Sequence, residues 1–311
     1  MRKKIYSLLI AFVIFLFLVS SCNKEENTKP LIIATIFPHY DIAKAIAGEN
    51  FDVKMLLSPG EDTHSYDPSV KDIVLVKKAK MFIYTGDFME TWASKIVSGL
   101  RDDTIIVDFS KDERIVTYEL HETHEDNEHK HHHEHSVDPH IWTSPRYAVY
   151  MVEDVLEAIK KADPTNSLYY EEKARAYISE LEKIDEKMHI LKEKAKRTTL
   201  YFGAPFAFLY LTKEYGFDFV SAYDSCSMEV DPAISTIIKI NEMIKNNHVP
   251  VIYVKELMTD TSMAKTIIKN TNAEILVLHS GHNISREDFK NNVTYLDILN
   301  SNIYNLERGL L

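Results

Sequence analysis

Cysteine is nearly absent from this chain. Its 311 residues include two, Cys22 and Cys226. Cys22 closes the run Leu18-Val19-Ser20-Ser21-Cys22, where small residues lead into a cysteine as in a lipobox, the signal for lipidation of a new N-terminal cysteine. With Cys22 given to lipid, Cys226 has no partner in the mature chain, which excludes an intramolecular disulfide. Positive charge is also in short supply. Lys and Arg total 36 against 47 Asp and Glu, for a net charge of −11 with histidine neutral, and loss of Arg2, Lys3 and Lys4 with a leader takes it to −14. Such a surface excludes nucleic acid, which needs basic partners, and suits a protein that concentrates cations. Long apolar runs are limited to Ile5–Val19, behind Met1-Arg2-Lys3-Lys4. That run is short for a membrane span and right for the apolar part of a signal peptide. The expectation is a leader over 1–21, a polar tether over 22–30, and an exported, soluble mature chain anchored to the membrane by lipid on Cys22.

Histidine, by contrast, is plentiful and clustered. Of fourteen, seven fall within fifteen residues: His121, His124, His129, His131, His132, His133 and His135. Imidazoles interspersed with carboxylates capture borderline metals such as zinc, copper or nickel. The segment is too polar to enter a core and reads as a loop. Directly after it comes the isolated His140, in Asp138-Pro139-His140-Ile141-Trp142-Thr143-Ser144-Pro145, with Asp138 near enough to support it from behind. A second isolated histidine, His64, sits in the loop Leu57–Pro68. Two fixed histidines beside a histidine-rich loop point to the handling of metal ions.

The length beyond the leader exceeds what one core usually carries. Apolar runs at Leu31–Ile36, Val53–Leu57, Met81–Tyr84 and Ile105–Phe109 alternate with helical stretches from about Asp41, over Ser69–Lys80 and over Glu90–Leu100. The plan recurs with strands at Thr198–Phe202, Phe217–Ala222, Val251–Val254 and Glu274–Leu278 and helices at Phe206–Tyr215, Ala233–Asn246 and Thr261–Asn270. This is α/β patterning, two lobes each with a mostly parallel sheet flanked by helices. The lobes are expected at 31–162 and 197–311. Between them Asp163 and Pro164 open a helix whose apolar residues Tyr170, Ala174, Tyr177, Leu181, Ile184, Met188 and Leu191 fall in one stripe. One rigid helix over 163–196 would join the lobes. Loops at the carboxyl ends of strands, where His64 and His140 lie, are where ligands bind in open α/β sheets.

These residues together resemble the metal-binding lipoproteins of zinc and manganese ABC importers, the ZnuA/TroA-like cluster of substrate-binding proteins. The resemblance rests on Ile36-Phe37-Pro38-His39-Tyr40-Asp41, the His64 loop, Tyr84–Trp92, Asp138–Pro145 and the closing run Thr294–Asn302. It implies one ion held in a cleft between the lobes, with His64 and His140 as first-lobe ligands. The chain departs from the pattern in its second lobe. Where the family offers a third histidine stands Pro205, which has no side-chain donor. The final protein ligand, usually a carboxylate, falls at Leu278-His279-Ser280-Gly281-His282, so His282 and then His279 are the candidates; Glu229 and Cys226 are further ones. An imidazole-rich set favours zinc, while manganese prefers more carboxylate oxygen; since ligation needs neutral imidazole, acid should weaken capture. The expected function is capture of zinc, with manganese the alternative, and delivery to an ABC permease with its ATPase, by a monomeric protein that catalyses nothing. Surface adhesion, known in some relatives, is compatible with these residues. An exported zinc hydrolase is disfavoured, because His121-Glu122-Thr123-His124 is one residue short of the His-Glu-x-x-His helix.

Overall fold

The computed structural model describes residues 29–61, 65–119, 137–223, 232–258 and 260–311. The leader, Cys22, His64, the histidine-rich segment, Cys226 and Glu229 lie outside the described residues. The first sheet takes the apolar runs as strands β1 (Leu31–Ala34), β2 (Asp52–Met55), β3 (Met81–Tyr84) and β4 (Ile105–Asp108), in the order β2-β1-β3-β4. The second sheet repeats it with β5 (Thr199–Phe202), β6 (Asp218–Ser221), β7 (Val251–Val254) and β8 (Glu274–Val277), ordered β6-β5-β7-β8. Every pairing is parallel. The strand direction of succession reverses at β1/β3 and again at β5/β7, so each sheet has one crevice at the carboxyl ends of its two central strands.

Helices cover the sheets. In the first half these are α1 (Phe37–Ala47), α2 (Val70–Val76), α3 (Ala93–Val97) and α4 (Pro145–Ala162). Helix α1 starts four residues earlier than the sequence pattern suggested, because Pro38 falls in its first turn, where its missing N–H costs nothing. Helix α2 is bounded by a capping box between Ser69 and Asp72 and stops at Val76, short of the expected Lys80. Helix α3 is shorter than the expected Glu90–Leu100, since Glu90 is spent in a turn: its N–H bonds Gly86 O at 2.9 Å and its carboxylate points into the protein.

The connecting helix α5 runs Ser167–Lys194, 28 residues or roughly 42 Å. The expected start at Pro164 is instead a separate 3-10 turn, Pro164–Asn166. Asp163 holds that turn through side chains, accepting from Asn166 Nδ2 at 2.7 Å and Tyr170 OH at 2.6 Å. All seven stripe residues are buried. Toward its start α5 is fastened to the first half by Tyr177 OH donating to Asp41 Oδ2 at 2.8 Å. Toward its end Asp185 accepts from Tyr215 OH at 2.6 Å, and Lys187 reaches Asn300 at 2.8 Å. Tyr215 belongs to α6 (Leu209–Tyr215), which is followed by α7 (Ile234–Asn246), α8 (Ser262–Ile267), α9 (Arg286–Lys290) and α10 (Tyr295–Leu310), the last carrying Asn300. Helix α9 was not apparent from the sequence; Ser285 caps it on Asp288 N.

One hydrophobic cluster includes the inner faces of both sheets: Ile32, Ala34 and Ile83 from the first, Leu200, Phe202 and Tyr253 from the second, with the α5 stripe between. Leu31–Leu311 accordingly forms one compact unit. Among the described residues no helix is long and apolar enough to cross a membrane.

Candidate metal-binding cleft

The bases of the site are set by strand ends. The described chain on either side of residues 120–136 is joined where Glu119 and Val137 form an isolated antiparallel bridge and Asp138 N bonds Tyr118 O at 2.9 Å. The chain then makes a tight turn through a 3-10 segment, Ile141–Thr143, into α4. This turn buries Asp138, His140 and Trp142 completely. Asp138 Oδ1 accepts from both His140 N at 2.8 Å and His140 Nδ1 at 2.9 Å. Asp138 Oδ2 is buried with no hydrogen-bond partner among the described residues.

From the second half, the loop after β8 brings His282 against His140, with ring centroids 4.4 Å apart and planes at 80°. Trp142 flanks both rings, at 5.5 Å from His140 and 5.3 Å from His282. Its indole Nε1 donates across the halves to Ser280 O at 2.7 Å. Tyr295 OH donates to Trp142 O from α10. Gly281 adopts φ +81°, and a Cβ there would lie 3.3 Å from the Trp142 ring, so the close approach of loop and indole requires glycine.

Behind His282 is Glu256, two residues past β7 and 7 % exposed. Its Oε2 accepts from Ser280 N at 2.7 Å, and its Oε1 meets Ser280 Oγ, which in turn meets His282 Nδ1. Burial pushes the Glu256 carboxyl up, but the imidazoles of His279 and His282 and the bond from Ser280 outweigh it and hold it well below the usual carboxylate range. His279 is placed differently. It is half-buried, its Nδ1 accepts from Gly281 N at 3.0 Å, and its backbone is clamped on both sides by Asn302.

The first-half loop that leads to His64 is tied to the same second-half loop. Asn283 Nδ2 donates to Ser58 O at 2.8 Å and Glu61 O at 2.7 Å, and Gly60 N bonds Ile284 O at 2.9 Å. Pro205 is buried beyond the end of β5 and brings no donor. Its neighbours instead supply an aromatic wall, in which Tyr210 packs against Tyr118 at 5.0 Å and Tyr147 at 5.3 Å. Among the described residues no group of three or more His, Cys, Asp or Glu side chains is gathered for a metal. The described part of the cleft is thus a pair of imidazoles, His140 and His282, each with a carboxylate behind it.

A second polar cluster, not anticipated as a unit, fills the crevice at β1/β3. Thr35 Oγ1 donates to Glu90 Oε1 at 2.6 Å and lies 3.1 Å from His39 Nδ1; Glu90 Oε2 accepts from Thr85 N at 3.1 Å and Gly86 N at 3.2 Å. Burial pushes the Glu90 carboxyl up to about 7, opposed by these hydrogen bonds, and pushes His39 down to about 3. Among the described residues His39 neighbours Trp142 of the cleft, with ring centroids 6.1 Å apart. Sequence signal existed in the threonine just past each of the two apolar strands β1 and β3, Thr35 and Thr85.

Two parallel sheets bridged by one long helix, with imidazoles from both halves meeting at strand ends, define a two-lobed binding protein. The chain belongs to the family described as zinc-uptake complex component A, periplasmic (ZnuA), whose model matches residues 32–309. The family is one of transport components, not enzymes. The chain is 30 % identical over 320 residues to the high-affinity zinc uptake system protein ZnuA of Bacillus subtilis, covering 100 % of this chain and 99 % of that one. It is 29 % identical to the zinc-binding lipoprotein AdcA of Streptococcus pneumoniae, spanning 98 % of this chain but 61 % of that protein's length. The Zn(II)-bound ZnuA-like domain of pneumococcal AdcA superposes with a TM-score of 0.74 at 25 % identity, covering 90 % of this chain and 98 % of that domain.

Proposed function

We propose that this protein is the extracytoplasmic solute-binding component of a zinc importer, holding one zinc ion between its lobes and handing it to an ABC permease with its ATPase. The observation that carries the reading is the meeting of His140 and His282, buried, from opposite halves, at a centroid distance of 4.4 Å. Burying two imidazoles edge to face with a carboxylate behind each makes little sense as packing, and is the usual surrounding of metal-binding histidine. His64, three residues along the chain from the Glu61 that Asn283 holds, supplies the third imidazole. Glu229 or water completes a tetrahedron, the geometry zinc prefers. His279 is the lesser candidate, because its Nδ1 accepts from Gly281 N, which leaves the ring proton of the neutral imidazole on Nε2.

The set is nitrogen-rich, which favours zinc over manganese. His121, His124, His129, His131, His132, His133 and His135 form an accessory capture loop that raises the local ion concentration and exchanges quickly. The lipid on Cys22 keeps the monomeric protein within reach of its permease. Native mass spectrometry and calorimetry of the mature protein lacking residues 121–135, titrated with zinc and manganese, test the reading. One tight zinc per chain, lost in His140→Ala and His282→Ala, is expected. Tight binding that survives both substitutions would place the site elsewhere.

A further inference from the structure

We propose that Glu256 is the positioning residue of the second-lobe ligand: acting through Ser280, it fixes His282 as the Nδ1–H tautomer and turns its Nε2 lone pair to the cargo. The inference rests on the zinc-binding reading of His140 and His282 and deepens it.

The argument is one of proton bookkeeping along a chain of contacts. An ionised carboxylate can only accept. Glu256 Oε2 is engaged by Ser280 N at 2.7 Å, and Oε1 faces Ser280 Oγ. The single hydroxyl hydrogen of Ser280 therefore goes to Glu256. Ser280 Oγ then has only lone pairs to offer His282 Nδ1, so Nδ1 must carry the ring proton. A neutral imidazole protonated at Nδ1 presents an unprotonated Nε2, the form that ligates a metal. In the first half the same result is reached without a relay, since His140 Nδ1 bonds Asp138 Oδ1 directly at 2.9 Å. His279 Nδ1 stands 3.9 Å from Glu256 Oε2, beyond hydrogen-bond reach, and accepts from Gly281 N, so it does not displace the serine from the carboxylate.

The charge balance agrees. A dication held by neutral imidazoles in a buried cleft is uncompensated, and buried charge requires a counter-charge. Asp138 and Glu256 are both buried and stand one hydrogen bond, or one relay, behind the two rings. With water as the fourth ligand, their two negative charges match a divalent ion and would leave a monovalent one overbalanced. The serine relay thus lets a carboxylate act at one remove where an imidazole occupies the direct position.

The test combines two readouts on full-length mature protein. Long-range proton–nitrogen NMR correlation spectra of the metal-free, histidine-labelled protein report the tautomer of His282. Zinc competition with a chromophoric chelator reports affinity. The wild type is expected to show His282 protonated at Nδ1. Glu256→Gln and Ser280→Ala should each mix the tautomers and weaken zinc by about 10–100-fold, with His140 unchanged in its own spectrum. Ser280→Ala decides the matter should Glu256→Gln fail to fold. A wild-type His282 protonated at Nε2 would overturn the proposal. So would an unchanged tautomer and affinity in both variants while His282→Ala abolishes binding. Zinc binding that survives His282→Ala would instead overturn the functional reading beneath it.

Discussion

Replacing Glu90 by Gln should change how stability depends on pH in a way that only the buried Glu90–His39 cluster can produce. Glu90 has its carboxyl raised from 4.5 to about 7 by burial. The folded protein therefore keeps that proton between 4.5 and 7, where the unfolded chain has lost it. Its stabilising contribution is full below 4.5 and lost as pH rises through about 7. His39 is the opposite case, lowered by burial from 6.5 to about 3. It is neutral in the folded protein and charged in the unfolded chain, so its contribution is full above 6.5 and lost as pH falls toward 3. Between 4.5 and 6.5 the pair holds one proton in either state, and the two slopes cancel. In Glu90→Gln only the His39 slope remains, and stability should climb by about 1.4 kcal/mol per pH unit, or roughly 3 kcal/mol across that window, relative to wild type. Gln also either sets an amide N–H₂ against the Thr85 and Gly86 N–H groups, which adds an offset of about 1–3 kcal/mol independent of pH, or turns it to Thr35, whose hydroxyl then accepts instead of donating. Urea unfolding of both proteins at several pH values across the window separates slope from offset. Parallel profiles would refute the reasoning, since they would mean that Glu90 ionises as readily folded as unfolded.

Two further outcomes follow from the geometry. Asn283→Ala removes two bonds from the Ser58–Glu61 loop, worth about 2 kcal/mol together, and should speed hydrogen exchange at the Gly60 amide; unchanged exchange there would show the loop is held by other means. Leu181→Ala, at a fully buried point of the α5 stripe, should lower stability by about 2–5 kcal/mol in chemical denaturation, and a loss under 1 kcal/mol would mean the stripe is not packed as described.

Most of the fold was legible because periodicity is local. The seven-residue stripe of α5 and the apolar runs of β1, β3, β5 and β7 declare their burial within a few neighbours. Boundaries were less so: Ser167, not Pro164, begins α5, because a 3-10 turn satisfies the same residues, and α9 is too short to show a period. His140 and His282 were readable as candidates since each follows a strong local pattern. Glu256, Ser280 and Asn283 were not. Glu256 and Ser280 are 24 positions apart and meet only because β7 and β8 are parallel neighbours. Thr35 and Glu90 are 55 apart and meet through β1 and β3. Spacing cannot reveal such partners, although a polar residue just past an all-apolar strand marks where to look.

The single core cluster that crosses from Ile32 and Ile83 to Phe202 and Tyr253 bears on how the ion proposed for the cleft would come and go. Prising the two halves apart would wet that shared interior, and exposing even 200 Å² of it costs about 5 kcal/mol. A clamshell motion is therefore a rare event for this molecule. On the proposed function, traffic would fall to the segments that end the strands, above all the stretch near Gly60 and the one from His279 to Ile284. On that reading, the halves would serve as a stiff vice of fixed gap, with the rate of loading and unloading set by the jaws' lining and not by a hinge.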